Sequence, residues 1–348
     1  MGLEKSDTRT LPVTPSEVSR SAPPVFVSQE LSSRDACSPR RDCMGRRITT
    51  VRAIAALAAV TCVSKTFVLA SEVPKEIKKV VGFVFLPVDH DGLRARGTGF
   101  FVDVPSEADS SRIVRYIVTA KHVFTNGDEG PWFSKVVIRV NKNAGGVDEL
   151  PLNLVAEGPH KNVFASTDTT IDIAVATICS DMSRDDVVSF PVDQLTRQED
   201  LPKLHIAEGT EVFFVGMFAA HIGAARNYPI VRFGHMALLS DEKVMWNSIP
   251  ADVYLIESGS YGGNSGSPVF FYRGEPRADG SITIDYPNLR LAGVMMGTFL
   301  DLQPLQNWPS DDVLSKASNG IAGVAPSYHV REIIYSSEVI GSRRGKCN

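Results

Sequence analysis

Between residues 79 and 297, short apolar runs alternate with clusters of turn-forming residues. Val, Ile, Phe and Tyr dominate the runs, and Gly, Pro, Asn or Asp bound most of them, which is typical of β-strands. Many short strands at this spacing favour antiparallel barrels or a sandwich over alternating βαβ units. The predicted strands are residues 80–85, 99–104, 112–119, 135–141, 171–178, 211–217, 230–239, 253–257, 267–272, 282–286 and 291–297.

The end of the chain has a different pattern. Val330, Ile333 and Ile334 recur at helical spacing after Pro326 and Ser327. This spacing predicts a short terminal helix that ends near residue 335 and packs against the last strands, with Ser327 as its N-cap.

A polar stretch at residues 193–203 separates two β-rich units of similar size. Gln, Arg, Glu, Asp and Pro replace the apolar runs there, so we predict a linker. The first unit then covers about residues 78–195, and the second about residues 204–325.

The first seventy residues contain two further patterns. Residues 1–43 are rich in Ser, Pro, Arg and Asp without an apolar period, so we predict disorder. Residues 44–70 have a basic start, an uncharged Ala-rich run and small residues at the end, which is the order of a secretory signal. We therefore expect initiation at Met44, cleavage after Ala70 and an exported chain of residues 71–348. The alternative is an amphipathic or buried helix.

Composition narrows the possible partners. Lys and Arg total 36 against 40 Asp and Glu, so no basic excess indicates a nucleic-acid partner. No uncharged apolar run reaches the roughly 18 residues of a membrane-spanning helix. Cleavage after Ala70 would leave two cysteines, Cys179 and Cys347, which we take as free thiols although an oxidising compartment would permit a disulfide. The sequence leaves the oligomeric state open.

The strongest local signal is the string GGNSGSP at residues 262–268. Glycine tolerates positive φ, so a serine among glycines can lie on a tight turn with its hydroxyl exposed and with backbone N–H groups beside it. An exposed nucleophile with an oxyanion hole requires this local geometry. Ser265 is therefore the candidate nucleophile. Ser267, just before a proline and a strand, is the alternative.

Two further motifs carry a histidine and an acid. Residues 116–123 (YIVTAKHV) bring His122 to the end of an apolar strand, and residues 170–175 (TIDIAV) place Asp172 within one. Burying an acid is costly unless it is paired. The alternatives are a structural histidine, a water-facing acid on an edge strand, or Asp168 in place of Asp172.

In the order His122, Asp172, Ser265, these motifs resemble the chymotrypsin-like (trypsin-like) serine peptidases of the bacterial secreted branch, over about residues 78–336. The string GTGFFV at residues 97–102 is similar to the glycine-rich strand before the histidine motif of that family. The resemblance implies an all-β fold of two antiparallel six-stranded β-barrels with a short C-terminal helix. It places the active site in the cleft between the barrels.

The resemblance also implies a role for each residue. Ser265 would be the nucleophile, His122 the general base and Asp172 the group that orients the imidazole. The backbone N–H groups of Gly263 and Ser265 would form the oxyanion hole. The substrate would be a polypeptide, cleaved through an acyl-enzyme without a metal or an organic cofactor.

The chain departs from the family's digestive members in two ways. Asn264 replaces the aspartate that pairs with a new N-terminus after zymogen cleavage, so we expect activity without propeptide cleavage of that kind. The position six before the serine is Gly259, so no carboxylate would attract Arg or Lys at P1. With Met295, Met296 and Gly297 as pocket walls, we expect a neutral, apolar P1 preference. The other class of function that we retain is a catalytically silent binding or scaffold protein on the same fold.

Overall fold

The computed structural model describes residues 73–88, 92–106, 112–127, 130–155, 161–246, 249–260, 262–272, 275–276, 282–283, 289–304 and 314–343. The predicted disordered segment and signal, with Met44 and Ala70, lie outside these residues. Cys347 also lies outside them.

The first sheet has eight strands. Its hydrogen-bonded path runs β5-β4-β1-β2-β3-β7-β6, and β8 pairs with β2 in parallel. This half-barrel contrasts with the closed six-stranded barrel that we expected. Three strands were not predicted from the sequence: β6 and β8 are very short, and β5 contains many polar residues. The strands are β1 Val81–Val88, β2 Gly92–Pro105, β3 Ile113–Thr119, β4 Lys135–Asn141, β5 Val147–Asn153, β6 Val163–Ala165, β7 Ala174–Ile178 and β8 Phe190–Pro191.

The second sheet is a closed barrel of six strands, in the order β10-β13-β18-β17-β14-β9. The all-β class and this six-stranded barrel are confirmed. Strand β18 was not predicted because Ser, Ala, Gly and Asn dominate its first half. The strands are β9 Glu211–Gly216, β10 Ile230–Leu238, β11 Val244–Trp246, β12 Ile249–Ala251, β13 Tyr254–Glu257, β14 Pro268–Phe271, β15 Glu275–Pro276, β16 Ile282–Thr283, β17 Arg290–Pro304 and β18 Leu314–Pro326, of which β11–β12 and β15–β16 form separate hairpins.

Short helices complete the fold. 3₁₀ turns cover Lys75–Lys79, Val192–Gln194 and Gln198–Asp200, the last two within the connection from β8 to β9. The α-helices are α1 Lys121–Phe124, α2 Ser327–Ile334 and α3 Ser337–Arg343. Among the described residues, no helix is long and apolar enough to cross a bilayer.

The predicted C-terminal helix is present as α2, but Ser327 is not its N-cap. Pro326 holds the cap position with φ −59° and ψ 144°, and Ser327 is the first helical residue. The Ser327 hydroxyl lies 2.7 Å from Thr196 O and 2.8 Å from Leu291 O. The side chain that was expected to cap the helix therefore anchors it to β17 and to the connection between the two sheets.

Aromatic rings join the two sheets. The Phe270 ring of β14 lies 5.2 Å from Phe213 and 5.3 Å from Phe190 of β8, measured between ring centroids. All three side chains are fully buried. Such pairs contribute about 0.5–1.5 kcal/mol each beyond the burial of their area. The core is therefore continuous across the two sheets.

Hydrogen bonds also tie the connection between β9 and β10 to β4. Arg139 of β4 donates to Gly223 O at 3.0 Å and to Ala224 O at 2.7 Å. The Asn227 backbone N–H donates to Asn141 Oδ1 at 2.7 Å, and Asn141 Nδ2 donates back to Asn227 O at 3.1 Å. A long loop of the second sheet is thus fixed on the first.

Cys179, which follows β7, is disulfide-bonded. Its partner cysteine lies outside the described residues. The expectation of a free thiol is therefore wrong for Cys179. The sequence could not settle this point, because a disulfide requires two Cα atoms within about 7 Å, and sequence spacing does not give that distance.

A buried histidine holds α2 against the second barrel. His329 Nε2 lies 2.9 Å from Asp252 Oδ2, and His329 Nδ1 lies 2.7 Å from Glu332 Oε2. Tyr328 donates its hydroxyl to the same Asp252 oxygen at 2.7 Å. Burial alone would lower the pKa of His329, but the hydrogen bonds to the two carboxylates prevail and raise it. The imidazolium form therefore stabilises the fold.

This cluster predicts a pH-dependent contribution to stability. A raised pKa in the folded state stabilises the protein fully below the unfolded value of about 6.5, and the gain is lost as the pH rises through the folded value. We expect His329→Gln to lower the free energy of unfolding by about 1 kcal/mol more near pH 6 than near pH 9. Urea unfolding at the two pH values measures this difference. His235→Gln, at an exposed histidine, is the control, and an equal loss at both pH values for His329→Gln would contradict the assignment.

Candidate active site

The loop that carries Ser265 turns through two glycines with positive φ, Gly263 at 96° and Gly266 at 82°. A Cβ at Gly266 would lie 2.0 Å from Thr98 O and 2.1 Å from Thr119 Oγ1. No side chain fits there without moving the backbone of β2. Ser265 is half-buried at this turn, directly before the glycine that lets the loop approach the first sheet.

Thr98 of β2 holds this loop in place. Its backbone N–H donates to Ser265 O at 2.8 Å, and its hydroxyl donates to Gly263 O at 2.8 Å. The same hydroxyl accepts a hydrogen bond from Met217 N at 2.9 Å. Thr98 is fully buried, so these bonds are shielded from water. The second-barrel loop is therefore positioned by the first sheet.

The side chain of Asn264 holds the loop to the backbone of Met217. Its side chain is fully buried, and its Nδ2 donates to Met217 O at 2.8 Å. A neutral amide thus makes a contact inside the protein, where the resemblance described above led us to compare Asn264 with an aspartate. This bond requires no new chain terminus, although activity without propeptide cleavage stays a prediction.

The backbone N–H groups of Gly263 and Ser265 lie in this loop. Among the described residues, neither the Gly263 nor the Ser265 amide has a hydrogen-bond acceptor. Donors that are fixed by the fold but not used by it can bind negative charge that develops on a substrate oxygen. The predicted oxyanion-hole residues are therefore present with their amides unpaired.

His122 and Asp172 are brought together because β3 and β7 are antiparallel neighbours, with Thr119 opposite Ala174. His122 lies in α1, just after β3, and Asp172 lies two residues before β7 rather than within a strand as predicted. Asp172 Oδ2 lies 2.7 Å from His122 Nδ1, and Asp172 Oδ1 accepts from His122 N at 3.0 Å. With Nδ1 protonated towards the carboxylate, His122 Nε2 is the nitrogen that can accept a proton.

Gly97 of β2 links the histidine turn to the serine loop. A Cβ at this position would lie 2.8 Å from Ser265 O and 2.8 Å from the side chain of Val123, the residue after His122. The turn that carries His122 and the loop that carries Ser265 therefore both pack against Gly97 of β2.

The Ser265 hydroxyl donates to Met296 O at 3.1 Å. A hydroxyl has one hydrogen to donate, so the transfer of that proton to His122 requires the Ser265 side chain to rotate away from Met296.

The predicted pocket residues lie in different environments. Gly259 is half-buried, whereas the Met295 side chain is fully buried in the hydrophobic cluster inside the second barrel. Met295 contributes its backbone to the site, since its carbonyl accepts from Gly266 N at 2.7 Å. Met296 is 5% exposed. The accessible part of this segment begins at Gly297.

The alternatives to the candidate catalytic residues, Asp168 and Ser267, lie in unsuitable environments. Hydrogen bonds from Thr170 and Lys243 lower the pKa of Asp168 to about 2, and Lys243 Nζ lies 2.9 Å from its carboxylate. Ser267 is fully buried, so its hydroxyl is unavailable to substrate. Among the described residues, no group of three or more His, Cys, Asp or Glu side chains could hold a metal ion.

Sequence reasoning missed two residues of the site, Arg96 and Thr98. Thr98 belongs to the string GTGFFV at residues 97–102, in which a hydroxyl side chain between two glycines before an apolar run is the available signal. Arg96 gave no signal, because its position depends on an irregularity of β2 that a sequence pattern does not reveal.

Comparison with known proteins identifies the class. A family model described as a trypsin-like peptidase domain matches residues 97–277, just over half of the chain. The chain therefore belongs to the trypsin-like peptidase family. Membership implies a polypeptide substrate.

Two solved structures are similar to the chain. One is the protease domain of MamO from Magnetospirillum magneticum in its apo form, at 12% identity with a TM-score of 0.42. The match covers 74% of this chain and 97% of that one. The other is HBP, at 11% identity with a TM-score of 0.39, covering 75% of this chain and 91% of that one. No curated protein matches the chain.

Proposed function

We propose that this protein is an exported serine endopeptidase that cleaves peptide bonds through an acyl-enzyme on Ser265. The observation that carries the proposal is the His122–Asp172 pair, 2.7 Å apart, in a turn that packs with the Ser265 loop against Gly97. The unpaired amides of Gly263 and Ser265 supply the remaining part of the machinery.

The proposed reaction assigns a step to each of these groups. Ser265 Oγ attacks the scissile carbonyl carbon while His122 Nε2 takes the hydroxyl proton. The negative charge on the tetrahedral intermediate is bound by the N–H groups of Gly263 and Ser265, and losing one such donor typically lowers the rate by about 10²–10³. His122 then gives its proton to the amine nitrogen as the C–N bond breaks, which leaves an ester on Ser265. Water attacks this ester while His122 takes its proton, and His122 returns that proton to Ser265 Oγ as the C–O bond breaks and the acid product leaves.

Asp172 acts through His122. Its two oxygens accept from the backbone N–H and from Nδ1 of the same residue, so they fix both the position of the turn and the orientation of the ring. The carboxylate stabilises the imidazolium that forms during proton transfer and does not itself take up the proton.

The hydrogen bond from Ser265 to Met296 is the one observation that favours a silent site. A neutral hydrogen bond contributes about 0.5–1.5 kcal/mol. Rotating the hydroxyl away from Met296 therefore costs about a factor of ten in rate at most. This is small beside the acceleration that a triad provides, so we favour the enzyme over a scaffold protein.

The nucleophile can be tested with a fluorophosphonate probe, which acylates an activated serine. We expect the wild-type protein to be labelled and Ser265→Ala to be unlabelled, with kcat lowered by roughly 10⁶. Ser267→Ala, two residues away and buried, is the matched control and should be labelled like the wild type. Equal labelling of wild type and Ser265→Ala would show that another residue reacts, and a folded wild type without labelling would support the scaffold function.

A neutral, apolar P1 preference is the second part of the proposal. Gly259 has no side chain, and the segment from Met295 to Gly297 carries no charge. An Arg or Lys side chain would lose its hydration in such a pocket without gaining a carboxylate partner.

A peptide library that varies only P1 measures this preference. We expect kcat/KM for Leu, Val or Ala at P1 to exceed that for Arg or Lys by about tenfold or more. A Ser265→Ala sample run in parallel controls for contaminating peptidases. Faster cleavage after Arg or Lys would contradict the assignment of the pocket.

Export is the third part of the proposal. The charge and apolar pattern of residues 44–70 supports it, and so does the disulfide at Cys179, because disulfides persist in oxidising compartments.

Mass spectrometry of the protein from its native source measures the mature N-terminus. We expect the first residue to be Ser71. A mature protein that retains residues from the first 43 would contradict both the Met44 start and the signal.

A further inference from the structure

Three consecutive residues of β2, Arg96 to Thr98, together contact the turn that carries His122 and the loop that carries Ser265. Gly97 adjoins Val123 and Ser265 O, and Thr98 donates two hydrogen bonds to the serine loop. The residue before them, Arg96, contacts the histidine turn. Its Nη2 donates to His122 O at 2.7 Å and to Thr125 O at 3.0 Å.

A β-bulge places Arg96 in this position. In the β1–β2 register Val84 pairs with Gly97 and Phe85 pairs with Ala95, so Arg96 is the additional residue of β2. A bulge leaves its extra residue outside the ladder and redirects its side chain. The irregularity therefore turns a long cationic side chain of β2 towards α1.

The surroundings of Arg96 restrict its movement. Its guanidinium carbon lies 5.3 Å from the ring centroid of Phe133. Burial, together with nearby Arg94, lowers the pKa of Arg96, but a guanidinium remains charged at neutral pH. A cation beside the carbonyls of His122 and Thr125 is also electrostatically favourable, since the negative ends of the carbonyl dipoles point towards it. The planar group can span two carbonyls at once, which a lysine ammonium on a flexible stem does less well.

We propose that Arg96 is a positioning residue for His122. It holds the carbonyl of His122 itself and that of Thr125, the first residue after α1, while Asp172 holds the ring and the backbone N–H of His122. The inference rests on the proposed function, in which His122 Nε2 must meet the Ser265 hydroxyl. Displacing a catalytic group by about 1 Å can cost about 10² in rate, so loss of this clamp should affect the chemical step more than substrate binding.

The test compares substitutions at Arg96 with the same substitutions at Arg94, an exposed arginine two residues earlier on β2. We expect Arg96→Met to lower kcat by about 10–100-fold while KM changes by less than about threefold. Arg96→Lys should retain more activity, because its ammonium can still reach one carbonyl. Arg94→Met and Arg94→Lys should stay within about twofold of wild type. Thermal unfolding of each variant identifies any loss of folded protein.

Three outcomes would overturn the proposal: unchanged kcat in Arg96→Met, a loss of activity that only matches the unfolded fraction, or an equal loss at Arg94. Should Arg96→Met fail to fold, Arg96→Lys decides by the same criteria.

A readout independent of activity separates this inference from the proposed function. The proton on His122 Nδ1, bonded to Asp172, gives an NMR signal whose position reports the geometry of that bond. We expect this signal to shift or broaden in Arg96→Lys and to be unchanged in Arg94→Lys. A wild-type protein without fluorophosphonate labelling would contradict the proposed function alone, whereas an unperturbed His122 signal in Arg96→Lys would contradict the role of Arg96.

Discussion

The arrangement of the site depends on one backbone contact, in which Thr98 N–H donates to Ser265 O at 2.8 Å. A Cβ at Gly97 would lie 2.8 Å from Ser265 O, and a Cβ at Gly266 would lie 2.0 Å from Thr98 O, so the two glycines leave room for the loop beside β2. The first sheet carries His122 and Asp172, and the second barrel carries Ser265. The contact therefore fixes the position of the Ser265 loop relative to His122 and Asp172.

Neutral groups hold the loop around Ser265 in the described part of the chain. The buried Asn264 amide, the Thr98 hydroxyl and backbone groups make hydrogen bonds to it or within it. Buried neutral groups that are hydrogen-bonded avoid the desolvation cost that a buried ion pair must overcome. The ion pair from Lys243 to Asp168 is instead at the surface, where such pairs contribute about 1 kcal/mol or less.

Much of the fold and the local chemistry was predictable from the sequence. Apolar β-branched runs marked most long strands, and the glycines around Ser265 marked a turn, because both signals are local. Features set by distant neighbours were not predictable. The bulge at Arg96 arises from the pairing of β2 with β1. The start of α2 depends on the contacts of Ser327 with Thr196 and Leu291. Asp172 was predicted within a strand, but it lies before β7 and pairs with His122. The disulfide of Cys179 belongs to the same group, since it requires a distance that only the fold supplies.

The hydrogen bond from Thr98 to Gly263 joins residues 165 positions apart in the chain. Contacts between such distant residues form only after much loop-closure entropy has been overcome, and so they form late in folding. A chain that has not yet formed this contact does not hold the Ser265 loop beside β2. Assembly of the candidate site is thus coupled to completion of the fold.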